Sequence, residues 1–172
     1  MAADTDSNPP EKVYRLLDGN VEAAAAIEQV VAAAKRELRV FDANPRSLHD
    51  LGFGSPARIE VLRHMLLGNR GHVLRIVLHD IAGIESELPR LINLLGQFSG
   101  QVQVHRTLER AAEARDPMII ADDAHFWRRP HMDHPRSVLT LSDAPETRPF
   151  LDRFEEIWEK SELAVSGTTL GL

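Results

Sequence analysis

Two histidines, an arginine and several carboxylates stand where strands are expected to end. His79-Asp80 closes an apolar run over residues 72–79, His105-Arg106 closes another, and Asp42 with Asn44 closes a third; Arg115 and Asp116 follow. In open α/β sheets ligand pockets form outside the carboxyl ends of the strands. These side chains are therefore expected to line one cleft. Two histidines and acids beside an always-charged guanidinium suit a small anion or a phosphate-containing ligand. Strand ends also carry polar residues merely as caps, and fold-level placement alone favours that plainer role.

Two further clusters invite chemistry. His131-Met132-Asp133-His134, with His125 upstream, holds side chains that ligate zinc or nickel. Pro130 and Pro135 flank it and no regular element fixes the spacing, so a polar surface loop is expected. His131, Asp133 and His134 remain weak metal candidates, and no cofactor is called for. Arg128, Arg129 and Arg136 lie near Phe126 and Trp127, a composition that can grip single-stranded nucleic acid. Aromatics in a strand more often belong to the core. The net charge of −6 and pI near 5.7 also disfavour nucleic acid and anionic membranes.

The elements that would position these residues follow from periodicity. Residues 13–17 alternate and form a short strand, with Asp18 or Asn20 as cap for a helix over 21–38 whose Ala23, Ile27, Val30, Val31 and Ala34 share a face. Residues 38–43 make a strand that Asn44-Pro45 ends. Residues 49–54 are loop, and Ser55-Pro56 starts a helix that Gly68-Asn69 closes. The β-branched run at 72–79 is the best central strand. A helix from Pro89 to Phe98, a strand over 101–106 and a short irregular segment over 108–114 come next. Residues 117–121 and 124–128 pair across Asp122-Asp123 as a hairpin. A strand over 137–141 precedes a helix capped by Asp143 and Glu146 and running to about Ser161.

Alternation of this kind at 172 residues implies one α/β domain, a mixed, mainly parallel sheet with helices on both faces. Residues 1–11 are expected to be a disordered tail, 12–162 the domain, and 163–172 a loosely held C-terminal tail. The chain has no cysteine, hence no disulfide frame, which fits a reducing compartment. Residues 1–10 lack the apolar core of a signal peptide, and the apolar runs fall short of a membrane span. A soluble cytoplasmic protein is expected.

The segments "GNVEAAAAIEQVVAAAKRELRVFDAN", "GHVLRIVLHD", "GQVQVHRT" and "PFLDRFEEIWEKS", in this order and spacing, resemble the phospholipase D-like superfamily over residues 13–162. The likeness extends to the uncharacterised phospholipase D-like domain of some bacterial proteins, at times found beside an acetyltransferase domain. Active members of the superfamily carry HxKxxxxD. The resemblance implies a histidine nucleophile on phosphorus, a lysine that neutralises phosphate oxygens, an aspartate that orients a histidine, and two such motifs building one site. If Asp122 takes the aspartate position, the histidine position is Arg115 and the lysine position is Pro117. Neither residue can do the work: guanidinium stays protonated at accessible pH, and proline carries no charge. No His-x-Lys occurs in the chain, and the Gly-Ser-x-Asn that follows the family motif is absent.

The leading expectation is therefore a non-catalytic phospholipase D-like domain acting in binding or assembly, plausible as a homodimer because active members pair two units. A phosphodiester hydrolase with a rebuilt site is the first alternative, with His79 or His105 as base and Arg115 as clamp. A single-stranded nucleic-acid binder is the second.

Overall fold

A computed structural model describes residues 8–167. Residues 1–7 and 168–172, which hold most of the expected N-terminal tail and half of the C-terminal one, lie outside the described residues. Eight strands form one sheet in the order β1-β7-β6-β5-β2-β3-β4-β8. The strands are β1 (Val13–Asp18), β2 (Glu37–Asp42), β3 (Val73–Leu78), β4 (Val102–Thr107), β5 (Met118–Ala121), β6 (His125–Arg128), β7 (Arg136–Leu141) and β8 (Ser161–Val165).

The sheet is mixed and the fold is α/β. Its parallel part is narrower than strand-helix alternation implied. Only β2–β3 and β3–β4 pair parallel, and the other five ladders are antiparallel. The cause is connection length. Helical crossovers join β2 to β3 and β3 to β4, whereas β5, β6 and β7 follow one another through short connections that force reversal.

Helices cover both faces. On one lie α1 (Asn20–Ala33), α2 (Pro45–Leu48), α3 (Pro56–Leu67), α4 (Ile84–Glu87) and α5 (Pro89–Gln97), over a core that includes Val40, Ile76, Ile119 and Trp127. On the other lies α6 (Ala144–Glu159), which packs Phe154 and Ile157 against Phe41, Val77, Met118 and Phe126. The period of two along each strand assigns its side chains to these two cores.

Three local expectations are corrected. The first helix stops at Ala33 rather than near Leu38. The amides of Lys35, Arg36 and Glu37 bond to the Asp122 carboxylate, at 2.9–3.0 Å, instead of to helical carbonyls. Neither Asp18 nor Asn20 caps that helix; Gly19 stands at the cap with φ 124, and the Glu22 carboxylate accepts from the Asp18 amide. Residues 163–165 of the expected C-terminal tail are not loose. They belong to edge strand β8 on β4, with an Arg106–Glu162 ion pair of 2.6 Å beside it.

The α6 face also holds charge that the sequence did not announce. Alternation puts Glu37, Arg39 and Arg75 on one surface, and α6 lowers Glu155 onto them. Burial works against the Arg75 charge, but hydrogen bonds with Glu155 and Glu37 outweigh it and hold its pKa above the usual value.

Candidate functional site

The carboxyl ends of β2 and β3 bring together only part of the expected cleft. Asp42 and His79 are neighbours there, the His79 amide lying 3.0 Å from the Ala43 carbonyl oxygen, yet their side chains leave the sheet on opposite faces. Asp42 follows Leu38 and Val40 into the α1-side core. Its Oδ1 accepts from the Ala43 amide at 2.7 Å and from the Ser47 hydroxyl at 2.9 Å. Its Oδ2 is buried without a partner among the described residues. Burial pushes the Asp42 pKa up to about 6, against the lowering effect of those two hydrogen bonds and of Arg129. Asn44 caps α2 by accepting from the Ser47 amide at 2.9 Å, and Asp80 accepts from the Ala82 amide in an exposed turn.

His79 lies on the α6 face, edge-on to Phe41, with both ring nitrogens engaged. Nε2 is 2.7 Å from the Ala114 carbonyl oxygen and Nδ1 is 2.8 Å from the Thr107 hydroxyl. A carbonyl can only accept, so Nε2 carries the proton, and in the neutral ring Nδ1 accepts from Thr107. No lone pair is left for a substrate. His105 lies further from the carboxyl end, stacked on Trp158 at 3.7 Å between ring centres, with Nδ1 2.8 Å from the Ser161 hydroxyl. Burial, then the Arg75 charge, lowers its pKa.

Asp116 is nearly buried on this same face and sits between two guanidiniums. Arg153 of α6 donates to it at 2.7 and 2.5 Å, and Arg128 of β6 at 3.3 Å. The hydrogen bond to Asp116 raises the Arg153 pKa. Arg115 is exposed immediately before Asp116. Two arginines thus hold one carboxylate, with Arg115 next to it in the chain. A cavity of about 330 Å³ opens beside them, lined by Arg153 and Lys160 but also by Glu113 and Glu156. Arg128 belongs to this cluster although the cleft reading omitted it; the hairpin register, which sets Arg128 opposite Met118, was the signal that could have placed it.

Asp122 does not join the cleft. It sits at the other end of β5, which runs antiparallel to β2, about 16 Å from Asp42 by strand rise. Its carboxylate accepts from three backbone amides rather than from a histidine. Burial raises its pKa, but those hydrogen bonds prevail and hold it below the usual carboxylate range.

The remaining clusters are also resolved. His131 and His134 meet edge to face at 5.3 Å in an exposed loop, with Asp133 Oδ2 3.6 Å from His131 Nδ1. Among the described residues no three His, Asp or Glu side chains converge as a metal-binding group. Phe126 and Trp127 are fully buried, so they offer no stacking surface. Arg129 lies over the Trp127 ring and Arg128 over Phe150.

A family model, "Domain of unknown function (DUF7931)", matches residues 19–166. The chain belongs to the DUF7931 family. No protein with a curated description matches it. Solved structures place the fold. Nuc from Salmonella typhimurium, a phospholipase D family member, aligns with TM-score 0.62 at 14% identity, over 91% of this chain and 100% of its own. NucT from Helicobacter pylori aligns with TM-score 0.56 at 11% identity, over 90% of this chain and 100% of its own. TrmBL2, an archaeal chromatin protein with a described mode of DNA binding, aligns with TM-score 0.60 at 17% identity, over 94% of this chain. The DUF7931 chain spans 57% of the TrmBL2 chain. The fold is phospholipase D-like, and no helix among the described residues is long and apolar enough to cross a membrane.

Proposed function

We propose that this is a non-catalytic phospholipase D-like domain that binds a small phosphate-bearing anion without turning it over. One observation carries the proposal: no His-x-Lys occurs in the chain, and with Asp122 set at the motif's aspartate, Arg115 and Pro117 fall where the superfamily needs its nucleophile and lysine. His79, adjacent to that position through Ala114, spends both ring nitrogens on protein partners. Covalent phosphoryl transfer needs a nucleophile, a proton carrier and cationic clamps in one place. Only the clamps remain here.

Arg128 and Arg153 hold Asp116, Arg115 is exposed immediately before it, and guanidinium forks match phosphate oxygens. The test is calorimetric titration with inorganic pyrophosphate and with a stable phosphodiester, at two salt concentrations. Binding that Arg115→Glu removes, with no product formed, is the expected result. Equal affinity in Arg115→Glu and wild type would refute the site.

A DNA-binding role is the second reading, because TrmBL2, described as binding DNA, shares the fold over 94% of this chain. Phe126 and Trp127 are buried, so such binding would not use them to stack bases and would rest on arginine–phosphate contacts. Salt-dependent retention of an oligonucleotide, lost in Arg115→Glu and unaffected by base sequence, would support it.

A further inference from the structure

The two edges of the sheet differ. At one, β8 makes a short ladder with β4 that is broken by a register shift at Val104/His105. Bulges of this kind twist an edge away from further pairing. At the other, β1 runs in unbroken register with β7 from Val13↔Leu141 to Asp18↔Arg136. No described strand lies outside β1, so its outer row of backbone amides and carbonyls is a regular template.

The side chains at this edge are also unprotected. Tyr14 and Leu16 point to the α6 face, as their partners Thr140 and Val138 lie beside Phe126 and Arg128 there. On that face Phe150 of α6 meets Phe126 of β6, Thr140 of β7 is buried and Val138 partly so, but the β1 side chains beyond them are not covered. Tyr14 is left 59% exposed and Leu16 75% exposed. A shallow cavity of about 410 Å³ runs beside Leu16, Val138 and Pro130. The one cation within the strand, Arg15, points to the other face and bonds Gln29 at 2.9 Å, so it does not blunt this edge.

We propose that β1 is a self-association edge: two copies of this chain pair their β1 strands antiparallel about a two-fold axis through Leu16. The sheet then continues across both copies. A two-fold perpendicular to the sheet keeps each face continuous, so opposed residues must share a face and the axis must pass through a residue. Centred on Arg15, it would oppose two guanidiniums, which is destabilising. Centred on Leu16, it opposes leucine to leucine and sets the Tyr14 hydroxyl against Asp18 of the partner subunit. An apolar strip formed by Leu16, Val138 and their copies closes the uncovered face. Leu16 lies in the cross-strand row of Val138 and Arg128, two strands from the arginine cluster, but association is read by particle mass and not by ligand, so its failure and a failure of anion binding are distinguishable.

Light scattering of the full chain at micromolar concentrations tests the assembly, and two variants test its geometry. Leu16→Lys places like charges across the axis and should weaken association by roughly tenfold or more. Its circular dichroism should be unchanged, because Leu16 is exposed in the single chain. Leu16→Cys should form a disulfide-linked dimer on mild oxidation, since the chain has no other cysteine and the residue faces itself. Leu108→Cys, exposed after β4, is the control and should not link. A monomer at all concentrations overturns the proposal. So does a dimer that survives Leu16→Lys, or one in which Leu16→Cys links no faster than Leu108→Cys.

Discussion

Asp116 holds Arg153 through contacts of 2.7 and 2.5 Å, tying the segment before β5 to the middle of α6. The same carboxylate takes Arg128 at 3.3 Å, so one acid organises two of the three arginines at the candidate site. Asp116→Ala would leave those guanidiniums facing each other. It should cost about 2 kcal/mol, below the usual loss for a broken buried pair because Arg153 is partly exposed. Urea unfolding measures it. A cost near zero would mean that α6 is held by its apolar contacts and by Glu155 without this link.

Asp122 is a structural acid. Asp122→Ala removes the acceptor of three amides and should destabilise the fold by about 1–2 kcal/mol, water replacing part of what is lost. Its folded pKa is depressed, so its contribution is complete above the unfolded carboxylate range and fades as pH falls through the lower folded value. The gap between wild type and variant should therefore be full at neutral pH and close in acid. A gap that widens in acid would contradict this.

Asp42 should behave in the opposite sense. Its folded pKa of about 6 lies above the unfolded value, so the folded state binds the extra proton and stability falls as pH rises from about 4 through 6. Asp42→Asn keeps an oxygen for Ala43 and Ser47 and removes the buried charge. Relative to wild type it should gain roughly 3 kcal/mol between acid and neutral pH, on the scale of about 1.36 kcal/mol per pKa unit. Denaturation at the two pH values decides; a constant difference would refute the assignment.

His79 should show one tautomer. Nitrogen-15 spectra of the neutral ring should place the proton on Nε2, facing Ala114, because a carbonyl cannot donate. A mixture of tautomers would show that the ring is not held as described.

Much of the fold was legible because burial is periodic. The run 72–79 announced β3, and the strand-helix order announced a mixed α/β sheet. The end of α1 was not legible, since what stops it is a carboxylate 87 residues away. The β8 edge looked like a tail because a five-residue strand has little pattern without its partner. The cleft was only half legible for a similar reason. Spacing placed Asp42, His79 and Arg115 at one end of the sheet, but a strand end does not say which face a side chain takes, and the faces separate Asp42 from His79. Asp122 followed from the resemblance, yet antiparallel pairing carries it to the far end. The salt link between Asp116 and α6 joins residues 37 apart and left no mark in either segment.

The most direct test of the central claim is turnover of a chromogenic phosphodiester by the purified chain, with and without divalent metal. Absence of product above the buffer rate in both, from protein that still binds pyrophosphate, is the predicted result. Hydrolysis that tracks the protein and disappears in His79→Ala or His105→Ala would contradict it, by showing that one of these rings is freed to act on phosphorus.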